Sequence, residues 1–182
     1  MHSRLTPFWS ACLSFGKAHA FREVMFDCCA PYTFDGEEFS YSIRLWTHGY
    51  DFYTPQDNII LHQYYHPGVK AKTGKTKKMY HENDFSITYK IMRQSNERLR
   101  YMLGMRPDDR FEPNLEELER YGLGHVRERE DYMRFSGVDL INEKTDEEIC
   151  RKVLDDKLEM VPLRYDPILK NEGNIRGRGR GR

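Results

Sequence analysis

Cysteine is scarce: the chain has four (Cys12, Cys28, Cys29, Cys150), one adjacent pair among them and no Cys-x-x-Cys. Neither a disulfide framework nor a zinc cage is indicated. Long apolar runs are missing too, since no stretch approaches the ~18 residues that a bilayer-crossing helix needs. The first 25 residues lack the charged start, apolar core and small-residue cleavage site of a secretory signal. Net charge is absent as well, with 29 basic and 29 acidic side chains. What the 182 residues do contain, 38% hydrophobic and 13% aromatic side chains, describes one ordinary folded domain with some polar excess.

The neutral total hides segregation. Residues 1–69 hold 4 basic and 7 acidic groups, residues 70–110 hold 11 and 5, residues 111–172 hold 10 and 17, and the last ten hold 4 and 0. The basic middle reads as a solvated surface with a lysine-rich loop over residues 67–82, weighed against a surface that attracts an anionic ligand. The Arg-Gly tail, residues 173–182, cannot bury anything and is expected to be disordered. Its four arginines come without a stacking platform in the body of the chain, so a nucleic-acid partner is not expected. Gly68 to Gly74-Lys75-Thr76 is no phosphate-gripping loop, because five residues rather than four separate the glycines.

Aromatic density and every compact motif lie in residues 1–66. Phe39, Ile43 and Trp46 recur at helical spacing and Gly49 follows, which predicts a short buried helix. Residues 50–53 and 58–64 read as strands joined by a turn at Pro55-Gln56-Asp57. A helix is expected from Asn83 to Leu103, stopping at Gly104. Two more are expected at the capping pairs Asn114 with Glu117 and Thr145 with Glu148.

Asp35-Gly36-Glu37-Glu38 places three carboxylates at the start of the first helix, where free amides and the positive dipole end hold negative charge. Asp35 and Glu38 fit a capping box. Glu37, with no such duty, is the stronger functional candidate. His62, Tyr64 and His66 project from one face of the second strand and Tyr65 from the other. His62 is a metal-ligand candidate, weighed against an imidazole satisfied by a backbone carbonyl.

Phe15-Gly16, the run from Tyr32 to Pro55, and His62 together resemble one family. They look like the polypeptide N-acetylglucosaminyltransferases that modify the hydroxyproline of the ubiquitin-ligase adaptor Skp1 or the threonines of protozoan surface mucins. Tyr121-Gly122-Leu123-Gly124 and the run Asp131 to Asp139 resemble that family's C-terminal end, so the likeness covers about residues 8 to 139. More distantly, the same run is similar to polypeptide N-acetylgalactosaminyltransferases.

The resemblance implies an α/β nucleotide-diphospho-sugar transferase (GT-A) fold. No Asp-x-Asp or Asp-x-His precedes Phe8, so the chain is expected to correspond to the C-terminal half of such a domain. That half spans 1–139, followed by a helical extension over 140–172 and the tail. The implied reaction moves N-acetylglucosamine (GlcNAc) from UDP-GlcNAc to a peptide hydroxyl of hydroxyproline, Thr or Ser, with retention, and is expected to be incomplete in this chain unless a longer chain or a partner supplies the nucleotide-binding half. Glu37 would orient the donor sugar, with Glu38 and Asp35 beside it as catalytic candidates. Phe34, Ala11 and Cys12 would line the sugar, Tyr64, Tyr65 and His66 would contact substrate, and residues 66–80 would form a lid. His62 would complete the shell of Mn²⁺ or Mg²⁺. The competing expectations are a non-catalytic module that binds a protein or peptide, and a nucleic-acid-associated protein using loop and tail. The compartment, cytosol or Golgi, stays open.

Overall fold

The helical period read over residues 37–46 forms the helix around which the protein is organised. In the computed structural model, which describes residues 3–55, 57–61 and 87–164, it is α2 (Glu37–Thr47). Ile43 and Trp46 are fully buried and Phe39 partly so. Gly36 (φ 87°) and Gly49 (φ 101°) bracket it in left-handed backbone, where a Cβ is disfavoured.

The expected capping box does not form. Gly36 occupies the N-cap and no side chain caps the helix, which leaves Asp35 one residue before the N-cap position from which a side chain accepts the N3 amide of the first turn. Glu38 instead accepts the Ala11 N–H at 2.7 Å and the Ser10 hydroxyl at 3.3 Å. A contact 27 residues away has replaced a local one.

The strand pairing also differs from expectation. β1 (Arg4–Thr6) and β2 (Phe52–Thr54) form a two-stranded antiparallel sheet in the register Arg4 with Thr54, Leu5 with Tyr53 and Thr6 with Phe52. Residues 58–61 are exposed and irregular, so the expected turn-linked partner is absent there. The rest of that strand, the loop at 67–82 and the tail at 173–182 lie outside the described residues. Between β1 and α2 comes the short α1 (Ala18–Glu23).

α3 (Ile87–Leu103) is the described part of the helix expected over 83–103, and it closes at Gly104 with φ 70°. α4 (Leu118–Tyr121) and α6 (Ile149–Leu154) begin later than their predicted caps. Asn114 accepts from the Glu116 amide in a turn of its own, and Asp146 rather than Thr145 accepts from the Glu148 amide. α5 (Arg129–Ser136) leads into a small sheet, β3 (Val138–Asp139) with β4 (Lys144–Thr145). The described residues thus form a mixed α/β arrangement of helices and two small sheets, and no described helix is long and apolar enough to cross a membrane.

α2 serves two apolar clusters. Ile43 and Trp46 pack with Leu5, Leu103, Tyr132, Phe135 and Leu140, while Tyr41 and Leu45 pack with Ala20 and Val24. The Trp46 ring stacks on Phe135 at 5.5 Å, and Tyr132 donates its hydroxyl to the Pro7 carbonyl at 2.8 Å. Burial of each such ring contributes on the order of 2–3 kcal/mol. The C-terminal end of α2 is pinned by the Gly122–Gly124 turn: the Gly124 N–H donates to Thr47 Oγ1 at 2.8 Å, and the Thr47 carbonyl accepts the Val126 N–H at 2.9 Å. Buried Arg127 pairs with Asp51 at 2.9 Å, lies 4.6 Å from the Trp46 ring centre and donates to the Val161 carbonyl at 3.0 Å. Leu158 and Val161 complete the Trp46 cluster.

Candidate active site

The three carboxylates at the entrance of α2 diverge: Glu37 and Glu38 are successive helix positions, about 100° apart, and Asp35 precedes the N-cap Gly36. Asp35 lines a cleft of about 840 Å³ with Phe39, Arg93, Asn96, Asp108 and Arg110. Glu37 lines a separate recess of about 150 Å³ with Asp27, Thr33, Ser40, Tyr41 and Arg44. Leu99 of α3 is a wall common to both. Glu38 turns to the Ser10–Ala11 segment. The structure therefore brings Glu38 to Ala11, with exposed Cys12 next in line, and sets Asp35 and Glu37 in adjoining recesses. Phe34 is half exposed just before them. His62, Tyr64, Tyr65 and His66 lie outside the described residues.

The larger cleft has an arginine rim. Asp108 pairs with Arg93 and with Arg110, each at 2.7 Å. The hydrogen bond from Arg110, with support from Arg93, holds its carboxyl well below the usual carboxylate range. Beneath them buried Glu97 accepts the Asp108 N–H at 2.7 Å. Phe39, Leu99, Leu103 and Leu140 give the cleft an apolar floor.

The smaller recess is backed by charge that sequence reasoning missed. Arg98, with no exposed side-chain surface, donates from Nε to Asp27 at 2.7 Å and from Nη1 to the carbonyls of Asn114 at 2.6 Å and Glu116 at 2.8 Å. Arg44 donates to the Met25 carbonyl at 2.6 Å. Burial lowers the Arg44 pKa, with Asp27 opposing that shift. The Asp27–Arg98 pair thus clasps the turn before α2 to α3 and to the segment leading into α4. The one signal available in sequence was Arg44 itself, a charge set between the buried apolar residues Ile43 and Leu45.

Among the described residues no three His, Cys, Asp or Glu side chains converge as a metal cage. The metal expectation rests on His62.

A family model described as glycosyltransferase (GlcNAc) matches residues 1–142. The chain belongs to this GlcNAc glycosyltransferase family. No curated protein and no solved structure matches it. Membership makes the protein a transferase that needs a GlcNAc donor and an acceptor. The matched region contains α2, both recesses and the Ser10–Ala11 contact.

Proposed function

We propose that this GlcNAc glycosyltransferase moves the sugar from UDP-GlcNAc to a peptide hydroxyl, of hydroxyproline, Thr or Ser, with retention of configuration on a GT-A fold. The observation that carries the reading is the junction of Glu38 with the Ala11 amide at 2.7 Å. Ala11 falls where the resemblance puts backbone against the donor sugar, and Glu38 anchors that backbone at the helix entrance beside Glu37. Glu37 orients the sugar from its recess, and Phe34 and Cys12 are proposed sugar contacts on grounds of resemblance. The cleft beside Asp35 is the acceptor side: its volume lies within the usual range for ligand sites, and its charged rim over an apolar floor suits a peptide segment.

Mn²⁺ or Mg²⁺ belongs to the proposal through His62, and its chemistry would be charge neutralisation of the leaving diphosphate. Tyr64, Tyr65 and His66 are proposed substrate contacts on the same grounds of resemblance. The test is hydrolysis of UDP-GlcNAc, and transfer to hydroxyproline and threonine peptides, with and without Mn²⁺. Activity that disappears in Glu37→Gln and in His62→Ala supports the proposal. Turnover unchanged in both variants refutes it.

A second reading, a non-catalytic peptide-binding module, is favoured by the exposed aromatic side chains of Phe8, Phe15 and Phe26, with Phe15 fully exposed. Peptide binding with no response to UDP-GlcNAc or metal would select it.

A further inference from the structure

The turn that carries Asp27 also carries two adjacent thiols. Cys28 and Cys29 are both unpaired by any disulfide, and their sulfurs approach to 3.8 Å, close to van der Waals contact. Cys12 and Cys150 are also free, and each is exposed. Cys28 is exposed while Cys29 is partly buried. The Cys29 N–H donates to Asp27 Oδ1 at 3.0 Å, and the other oxygen of that carboxylate holds buried Arg98. Hydrogen bonding to the Cys28 thiol raises the Tyr121 phenol, so the pair also touches α4.

We infer that Cys28 and Cys29 form a hydroperoxide-reactive dithiol site, in which Cys28 is oxidised first and Cys29 resolves it into a vicinal disulfide. In the first step the Cys28 sulfur attacks the peroxide. The O–O bond breaks, an S–O bond forms, and one oxygen leaves as water or an alcohol. In the second step the Cys29 sulfur attacks the Cys28 sulfenic acid. The S–O bond breaks, the S–S bond forms, and water leaves with the last thiol proton. The two thiols have then given up two electrons, which the peroxide has taken.

The assignment of roles follows exposure. The accessible thiol meets the peroxide, and its neighbour lies within reach to intercept the sulfenic acid before further oxidation. Partial burial and the Cys28 thiol raise the Cys29 pKa, which makes Cys29 the poorer first nucleophile. The bond formed is a labile one. Consecutive Cα atoms sit about 3.8 Å apart across a trans peptide, below the usual disulfide span of about 4.4 Å or more, and strained disulfides are the readily reduced ones.

Closure has a structural consequence. The sulfurs must approach from 3.8 Å to about 2.05 Å, which reorients the peptide between them and pulls the Cys29 N–H off Asp27. Asp27 both lines the Glu37 recess and neutralises Arg98. Oxidation at this turn therefore loosens the clasp behind the recess, whatever reaction occurs in front of it.

The experiment treats the full chain with hydrogen peroxide, then alkylates before and after reduction and maps the four cysteines by mass spectrometry. The expected product is a 28–29 peptide that has lost two hydrogens and takes alkylating reagent only after reduction, while Cys12 and Cys150 are still alkylated. In Cys29→Ser, Cys28 is expected to stop at the sulfenic acid and be captured by dimedone. The thermal midpoint of the wild type should fall on oxidation and return on reduction, with no such cycle in Cys29→Ser. Equal dimedone capture at Cys28 in wild type and variant would overturn the inference. So would oxidation of all four cysteines at one rate, or a vicinal disulfide that leaves the midpoint unmoved.

Discussion

A single methyl group added at Gly124 tests how the C-terminal end of α2 is held. A Cβ built on Gly124 lies 2.5 Å from the Thr47 carbonyl oxygen and 2.6 Å from the His48 nitrogen. Both neighbours are backbone, so neither can rotate away. The segments must separate, and separation strains the Gly124 bond to Thr47 Oγ1 and the Val126 bond to the Thr47 carbonyl. Overpacking costs about 1–3 kcal/mol and a weakened hydrogen bond about 0.5–1.5 kcal/mol. For a chain of this size, a combined loss of about 2–4 kcal/mol lowers the thermal midpoint by roughly 5–15 °C. Gly16→Ala is the matched control, because its added Cβ meets only the Phe21 ring, at 3.6 Å, an ordinary contact. It should stay within about 0.5 kcal/mol of wild type. Differential scanning calorimetry of the two variants side by side decides the matter. Equal midpoints would refute the close backbone approach at Gly124.

Further outcomes follow from the same contacts. Asp27→Ala leaves Arg98 charged and buried without its partner, which costs about 3–5 kcal/mol; a loss under 1 kcal/mol in urea denaturation would show that the pair is not buried as described. Burial pushes the His48 imidazole below its ordinary value, although its bond to the Arg44 carbonyl opposes that shift. The folded pKa is then the lower one, so this contribution is complete above about pH 6.5 and is lost as pH falls from there toward the folded value. His48→Gln should flatten that part of the stability profile, and an unchanged slope would count against it. Glu38→Ala should lower kcat/KM at least about tenfold, equivalent to ~1.4 kcal/mol, while Glu38→Gln, which keeps an acceptor for the Ala11 amide, recovers part of the loss. Full activity in Glu38→Ala would remove the Ser10–Ala11 anchor from the mechanism.

The local features of the fold were legible and the long-range ones were not. Phe39, Ile43 and Trp46 announce α2 through spacing alone, and Gly49 and Gly104 mark helix ends because their backbones take positive φ. The misreadings share one cause, since a motif is recognised over a few residues while its partner is chosen by the whole fold. Asp35 and Glu38 match a capping box, yet Glu38 goes to Ala11. Residues 50–53 read as the first half of a hairpin, yet β2 pairs with β1 near the start of the chain. α1 and α5, six and eight residues long, are too short to show a helical period in the sequence. In the site, the cluster of acids at the α2 entrance was visible, while its splitting into two recesses was not, because Leu99 and Arg98 arrive from α3. Tyr121 to Gly124 stands out in the sequence only through family likeness, and the physical reason for its last glycine is the close approach to Thr47 that only a glycine permits.

Arg127 carries a practical consequence for anyone who trims the gene. The family match stops at residue 142, but this guanidinium reaches from behind Trp46 to the Val161 carbonyl, and Arg164 returns its amide to Val126 at 2.9 Å. A truncation drawn at the edge of homology would peel Leu158 and Val161 off the cluster around Trp46 and uncover an oily patch. Expression boundaries set past Arg164 keep the molecule's back wall in place.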